Sequence, residues 1–174
     1  MVAARRIYII GFMGSGKSTT GKKLASNLSW QFIDLDKEIE FIEGRSVRDI
    51  FSASGEEYFR KLESEALSGL KTDRDTVISA GGGTPCFGTN MDFMTGTGIV
   101  VYLRMTPEQL KNRLDGPYGA RPLINNLHKS KLLKFITDKL AEREKYYLNA
   151  SIIIDGIDPD IKDLISKVKA IQKG

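Results

Sequence analysis

The segment GFMGSGKS, residues Gly11–Ser18, decides the fold class of this chain. It fits the pattern G-x-x-x-x-G-K-[S/T] and stands between an apolar run typical of a buried strand and a helical pattern. In that context the glycines let the loop wrap around phosphate groups with its N–H groups pointing inward, and the helix N-terminus adds positive potential. Lys17 is expected to reach the outer phosphates, and Ser18 to offer its hydroxyl to Mg²⁺. The segment therefore predicts a site for a nucleoside triphosphate.

Strand and helix patterns alternate along the rest of the chain. Five apolar segments predict strands, namely RIYII (6–10), QFIDLD (31–36), TVISA (76–80), GIVVYLR (98–104) and SIIID (151–155). Helical periodicity follows the first, second, fourth and fifth of these segments, which is typical of parallel β-α-β units. We therefore expect a single α/β domain over residues 1–174, with three α/β/α layers around a central five-stranded parallel sheet.

Local signals predict where several helices begin and end. Gly44 is expected to end a short helix, because glycine readily adopts the left-handed conformation just past a helix end. Ser46 and Thr106 are typical N-caps. Asp158 followed by Pro159 predicts the start of the last helix.

The composition favours a small anionic ligand and a cytoplasmic location. The net charge is +4, and no block of basic residues indicates nucleic-acid binding. The one cysteine, Cys86, excludes an intrachain disulfide and is typical of a reducing compartment; it is either a packing residue or a reactive thiol. The apolar run Ile7–Ile10 is too short for a signal peptide or a membrane span.

Three classes of protein fit the phosphate loop: GTPase switches, motor or assembly ATPases, and small-molecule kinases. A guanine-specifying N-K-x-D stretch is absent, and no apolar strand runs into Asp-Glu as in a typical motor. The non-periodic segment DGPYGARPLINN, residues 115–126, predicts a long surface loop that carries Arg121. A mobile loop with an arginine suits phosphoryl transfer, in which the site closes and a cation meets the charge of the transferring group. A kinase is therefore favoured.

Charged side chains are predicted to gather at the carboxyl edge of the sheet. Asp34 and Asp36 end the second predicted strand, and residues two apart on a strand point to the same side. One could hold Mg²⁺ through water and the other accept a proton from an acceptor hydroxyl, although a pair of N-cap residues is the alternative. Arg60 and Arg143 would fit an anionic acceptor if they share one pocket, and surface arginines are the alternative.

Three consecutive glycines, Gly81–Gly83, follow the third predicted strand in the stretch SAGGGTP. Such a run is unfavourable unless the backbone must come close to another group. We interpret the close group as a ligand, because the carboxyl end of a parallel strand lies at the ligand-binding edge of the sheet.

Taken together, the motifs GxxGSGKST, DLD, FRxxE, GGG, RPL and AxREKYY resemble those of shikimate kinases, from residue 7 to about residue 160. The resemblance implies a P-loop kinase fold and transfer of the γ-phosphoryl of ATP to the 3-hydroxyl of shikimate, with Mg²⁺. We expect a monomer that binds neither nucleic acid nor a membrane. A kinase of another hydroxy acid, such as gluconate, and an ATP-binding module that acts on nucleic acid are the alternatives.

The resemblance also implies a role for individual residues. The catalytic residues would be Lys17, Asp36 and Arg121, and the metal-binding residues Ser18 and Asp34. Nucleotide binding would fall to Gly14, Ser15, Gly16, Lys17, Ser18, Thr19, Arg113 and Arg121. Shikimate binding would fall to Asp36, Phe51, Phe59, Arg60, Gly81, Gly82, Gly83 and Arg143. The segment 36–62 would bind shikimate, the segment 114–126 would form a mobile lid, and the turn 155–160 would wrap the base, whereas Tyr146 and Tyr147 receive no role.

Overall fold

Five strands and seven helices form the part of the chain that the computed structural model describes, residues 5–115 and 128–173. The strands are β1 Arg6–Ile10, β2 Gln31–Asp34, β3 Thr76–Ser79, β4 Ile99–Arg104 and β5 Ile152–Asp155. The helices are α1 Lys17–Leu28, α2 Leu35–Glu43, α3 Val47–Gly69, α4 Asn90–Thr97, α5 Pro107–Leu114, α6 Lys129–Tyr147 and α7 Ile161–Lys173, with a 3₁₀ turn at Thr84–Cys86. None of the helices within these ranges is long and apolar enough to cross a bilayer.

The strands form one parallel sheet in the order β2-β3-β1-β4-β5. The predicted five-stranded parallel sheet is therefore confirmed. In this order β1, which leads into the phosphate loop, is flanked by β3, and β3 is flanked by β2. The carboxyl ends of these three strands consequently lie side by side, where open α/β sheets bind their ligands.

Strand β1 is buried on both faces, which explains its continuous apolar sequence. Tyr8 and Ile10 point into one core, whereas Ile7 and Ile9 point into a second core on the opposite face. Helices α3 and α6 contribute to the first core and α1 and α7 to the second, so that the sheet forms the middle of three layers.

The predicted signals at Gly44, Ser46 and Thr106 are confirmed. Gly44 follows α2 with a φ of 64°. The Ser46 hydroxyl accepts a hydrogen bond from the N–H of Asp49. Thr106 forms a capping box with Gln109 at the start of α5.

The last helix begins later than predicted. Helix α7 starts at Ile161. Its first N–H groups, those of Lys162 and Asp163, donate to the side chain of Asp160. Asp160 is thus the residue that satisfies these donors, and the prediction of Asp158 as the cap was wrong.

The prediction that Asp34 and Asp36 both end a strand is also wrong. Strand β2 ends at Asp34, the buried Leu35 begins α2, and Asp36 lies in the first turn of that helix. The strand alternation used in the prediction therefore does not apply to Asp36. The first turn of a helix is a position at which acidic residues are common.

Candidate active site

An open cleft of about 790 Å³ lies where the carboxyl ends of β1, β2 and β3 meet. Its lining includes the following predicted site residues: Gly14, Gly16, Lys17, Ser18, Thr19, Asp34, Asp36, Phe51, Phe59, Arg60, Gly81, Gly82, Gly83, Arg113 and Arg143. Ser15 is buried behind the cleft instead. Arg121 and most of the predicted lid fall outside the described residues. The structure therefore brings the predicted nucleotide and acceptor residues of its described part into one space.

The phosphate loop adopts the curved shape that its glycines predict. Gly14 and Gly16 have φ angles of 84° and 90°, in the left-handed region that favours glycine. The ammonium group of Lys17 lies over the loop and donates to the Phe12 carbonyl at 3.1 Å. The loop leads directly into α1, whose N-terminus faces the cleft through Lys17 and Ser18.

Three oxygen-bearing side chains meet beside this loop. The Ser18 hydroxyl donates to the Asp34 carboxylate at 2.5 Å, and the Ser79 hydroxyl lies 3.4 Å from that of Ser18. Although Asp34 stands at the N-cap position of α2, its side chain makes no capping hydrogen bond there. Hard oxygen ligands of this kind fit Mg²⁺, which takes few protein ligands when phosphate oxygens supply the others. The residues present therefore fit the predicted metal.

Ser79 was not predicted as a member of this group. It is the last residue of β3 and pairs in register with Asp34 of β2. A serine at the end of an apolar strand carries no signal in the sequence, because its neighbour is known only once the strand order is known.

Asp36 is a half-buried carboxylate that lines the cleft. Its Oδ1 atom is shielded from solvent and accepts no hydrogen bond from any residue of the described ranges. The pKa of Asp36 is raised to about 6, first by burial and then by the charges of Glu63 and Asp34, while the charges of Lys17 and Arg60 oppose the rise. A carboxylate with this pKa is charged at neutral pH and can accept a proton.

Arg60 is held by two carboxylates on its own helix. One guanidinium nitrogen lies 2.5 Å from Glu63, which is fully buried, and another lies 2.8 Å from Glu56, which is half exposed. The arginine itself is only 6% exposed. The alternative interpretation of Arg60 as a surface residue is therefore wrong.

Arg143 approaches the cleft from α6, and it is 5% exposed. Its guanidinium lies 5.5 Å from the ring centre of Phe12, a residue of the phosphate loop. The surface alternative is wrong for this arginine as well. The two buried arginines thus line the same cleft from α3 and α6.

Aromatic side chains form the wall beside Arg60. Phe51 and Phe59 pack with their ring centres 4.7 Å apart, and the guanidinium lies 6.0 and 5.6 Å from them. Phe87 covers the guanidinium at 4.9 Å. These contacts limit the rotation of the arginine and leave an apolar surface against which a ring could lie.

Glu63, to which the sequence analysis assigned no role, is a buried carboxylate that lines the cleft. Besides pairing with Arg60, it accepts a hydrogen bond of 2.5 Å from the Thr84 hydroxyl, in the turn after the glycines. The signal was present in the FRxxE motif, because residues three apart on a helix are neighbours.

The positions of Gly81 and Gly83 have no room for a side chain, because other side chains of the protein lie against them. A Cβ at Gly81 would overlap the Glu63 carboxylate, and a Cβ at Gly83 would overlap the Arg60 guanidinium. The interpretation that a substrate alone explains the glycine run is therefore incomplete. Two of the three glycines make room for the charged pair that faces the cleft.

Gly82 packs against the phosphate loop instead. A Cβ there would lie 3.1 Å from the Met13 nitrogen and 3.3 Å from the Gly11 carbonyl. The Gly82 carbonyl accepts a hydrogen bond from the hydroxyl of Tyr147, a residue without a predicted role. The glycine run thus joins the nucleotide side of the cleft to α6.

Arg113 connects two loops on the nucleotide side. It donates to the Ser15 carbonyl at 3.1 Å and to the carbonyls of Gly156 and Ile157 at 3.1 and 2.7 Å. The turn predicted to wrap the base is therefore tied to the phosphate loop through this guanidinium. Contact of Arg113 with adenine stays a prediction.

Cys86 is a packing residue. It lies against the core cluster, and burial raises the pKa of its thiol to about 11. The thiol is therefore protonated at neutral pH and a poor nucleophile, which is evidence against the reactive-thiol alternative.

Comparisons with known proteins agree on one family. A family model described as shikimate kinase matches residues 13–171. Shikimate kinase from Parabacteroides distasonis is 37% identical over 96% of this chain and 99% of that protein. The structure of shikimate kinase from Acinetobacter baumannii in complex with shikimate superposes with a TM-score of 0.83, at 31% identity and over 98% of this chain and 94% of that one.

A gluconokinase from Sinorhizobium meliloti is a more distant structural neighbour. Its TM-score is 0.57 at 17% identity, over 97% of this chain and 92% of that one. Similarity at this level shows a common fold only, so it does not favour gluconate as the acceptor.

Proposed function

Because this chain belongs to the shikimate kinase family, we propose that its cleft holds ATP and shikimate end to end. The enzyme transfers the γ-phosphoryl of ATP to the 3-hydroxyl of shikimate and releases shikimate 3-phosphate and ADP, a step of aromatic amino acid biosynthesis. Lys17, at the phosphate loop, binds the outer phosphates of ATP. The opposite end of the cleft, with Arg60 and Arg143, binds shikimate.

The two arginines bind the carboxylate of shikimate. Their burial supports this role, because a desolvated guanidinium fork binds a carboxylate more strongly than an exposed one. Glu56, a half-exposed carboxylate, pairs with the Nε and Nη2 atoms of Arg60, so this side of the fork binds a carboxylate in the structure itself. Phe51 and Phe59 then contact the ring of shikimate.

Asp36 aligns the attacking hydroxyl and accepts its proton. Its raised pKa supports this role, and so does its Oδ1 atom, which accepts no hydrogen bond from the described residues. Lys17 stabilises the charge of the transferring group, and Arg121, outside the described residues, is proposed to add a second cation. Mg²⁺ would be held by Ser18 and, through water, by Asp34, and when bound it neutralises phosphate charge.

Several further features belong to the same proposal. The segment 36–62 contains Asp36, Phe51, Phe59 and Arg60, and we assign it to shikimate binding. The segment 114–126 is assigned to a lid over the phosphates. The enzyme is proposed to act as a monomer in the cytoplasm and to have no nucleic-acid partner.

The observation that carries the proposal is the position of Asp36 within electrostatic reach of both Lys17 and Arg60 in one cleft. The test is ADP release with ATP, Mg²⁺ and shikimate, with each omitted in turn and with gluconate or RNA in place of shikimate. We expect turnover only when all three are present. Turnover with gluconate or RNA that equals turnover with shikimate would refute the proposed acceptor.

A further inference from the structure

Tyr147 connects α6 to the middle of the glycine run. It is fully buried, and its hydroxyl donates to the Gly82 carbonyl, 65 residues away in sequence. Its ring packs on that of Tyr102 in β4, with the ring centres 5.0 Å apart. The ring that carries the hydroxyl thus packs against the central sheet, which limits its movement. Burial raises the pKa of Tyr147, so the phenol keeps the proton that it donates.

Each carbonyl of the glycine run is occupied by a protein donor. The Gly81 carbonyl accepts from the N–H of Thr84 at 3.2 Å, and the Gly83 carbonyl accepts from the N–H of Cys86 at 2.9 Å. These two bonds are local and belong to the 3₁₀ turn. The Gly82 carbonyl depends on Tyr147, which therefore sets the orientation of the middle peptide from outside the loop.

Two N–H groups of the glycine run, unlike its carbonyls, have no hydrogen-bond partner among the described residues. Within the described ranges, no residue accepts a hydrogen bond from the N–H of Gly82 or of Gly83. Both residues line the cleft. Because C=O and N–H point in opposite directions across a trans peptide, holding the Gly82 carbonyl toward Tyr147 turns the N–H of Gly83 away from α6.

Tyr147 also lies one helical turn after Arg143 on α6. One helix therefore carries both an arginine of the acceptor end and the hydroxyl that orients the glycine run. A displacement of this helix would move the charge and the backbone donors together.

We propose that Tyr147 is a positioning residue for the acceptor. Its hydroxyl holds the Gly82–Gly83 peptide so that the N–H of Gly83 remains available in the cleft as a donor to a hydroxyl of the substrate. The inference rests on the proposed function, because it assumes that shikimate occupies this end of the cleft.

The test compares two single-atom deletions in the same pair of rings. Tyr147→Phe removes the hydroxyl that binds Gly82. Tyr102→Phe removes a buried hydroxyl that has no hydrogen-bond partner among the described residues, and it serves as the matched control. The KM for shikimate, the Kd for ATP by calorimetry and the Tm are measured for both variants and for the unaltered chain, at a temperature where each is folded.

We expect Tyr147→Phe to raise the KM for shikimate by roughly three- to tenfold, the effect of losing one hydrogen bond, with the Kd for ATP changed by less than about twofold. Tyr102→Phe is expected to leave both constants unchanged. Equal shikimate KM values for the two variants would overturn the proposal, and so would a Kd for ATP that weakens by the same factor as shikimate binding, because that pattern indicates general loosening.

A second measurement needs no variant. Amide exchange at Gly83, followed by NMR in the unaltered chain, is expected to slow when shikimate is added. Exchange that shikimate leaves unchanged would overturn the proposal even if Tyr147→Phe failed to fold. Absence of shikimate-dependent ADP release by the unaltered enzyme would instead refute the proposed function, so the two failures are distinguishable.

Discussion

Replacing Asp36 by Asn should make the fold more stable and the enzyme nearly inactive. The pKa of this carboxyl is raised from its ordinary value of 3.8 to about 6, first by burial and then by the charges of Glu63 and Asp34. A rise of this size corresponds to about 3 kcal/mol of unfolding free energy lost once the carboxylate is charged. Because the half-buried side chain keeps some contact with solvent and Asn also needs hydrogen bonds, we expect the variant to gain about 1–2 kcal/mol at pH 8.

The sign of the pH dependence follows from the direction of the shift. A carboxyl whose pKa is higher in the folded chain stabilises the fold while it is protonated, and this stabilisation is lost as the pH rises through about 6. The advantage of Asp36→Asn should therefore be largest at pH 8, shrink between about pH 6 and 4, and vanish at lower pH.

Urea unfolding followed by circular dichroism between pH 4 and 8 measures this difference. Asp138→Asn, at an exposed carboxylate on α6, is the control and should show no comparable dependence on pH. Turnover of Asp36→Asn should fall by about 10²- to 10⁴-fold with ATP binding unchanged, since the proton acceptor is lost. A variant no more stable than the unaltered chain at pH 8, or a gain independent of pH, would refute the electrostatic argument, and near-normal turnover would refute the catalytic role.

Three further changes test the neighbouring contacts. Arg60→Lys keeps a positive charge beside the buried Glu63 carboxylate but loses the planar fork, so the KM for shikimate should rise by about tenfold or more. Lys61→Arg, at the exposed neighbouring position, should leave this KM unchanged. Equal KM values for the two variants would contradict the role of Arg60. Gly83→Ala places a methyl group against the Arg60 guanidinium and should weaken shikimate binding, measured by calorimetry. Gly96→Ala, with open space around its Cβ, should leave shikimate binding unchanged. A Gly83→Ala variant with normal shikimate affinity would contradict the contact between Gly83 and Arg60. Arg113→Ala removes the hydrogen bonds that join the phosphate loop to the turn near residue 156. It should weaken ATP binding by about tenfold and leave the KM for shikimate unchanged. An unaltered Kd for ATP would show that these hydrogen bonds do not support the nucleotide site.

The local parts of the fold were predictable because their signals are local. The phosphate loop needs glycines at the left-handed positions Gly14 and Gly16, and these glycines can be read directly from the sequence. The caps at Ser46 and Thr106 depend on residues three positions away, which are also visible. The start of α2 was not predictable, because QFIDLD is apolar enough to continue as a strand and the helix begins within it.

Helix α4 and the 3₁₀ turn before it were missed. The segment NMDFMTGT has a weak helical pattern and contains a glycine, so its propensity is low. It forms a helix because Met91 and Met94 are buried in the first core. Tertiary packing overrides propensity here, which a sequence pattern cannot show.

The sequence by itself determined the class of fold, the nucleotide site and, through an ordered set of motifs, the family and most residues of the cleft. Each of these motifs is a short segment, and the types and spacing of its residues indicate what it can bind. The tertiary structure alone decided the strand order, the pairing of Ser79 with Asp34, and the hydrogen bond from Tyr147 to Gly82. It also showed that Gly81 and Gly83 make room for Glu63 and Arg60. Contacts between residues far apart in sequence exist only after the strands have paired, because burial and distance are properties of the packed chain.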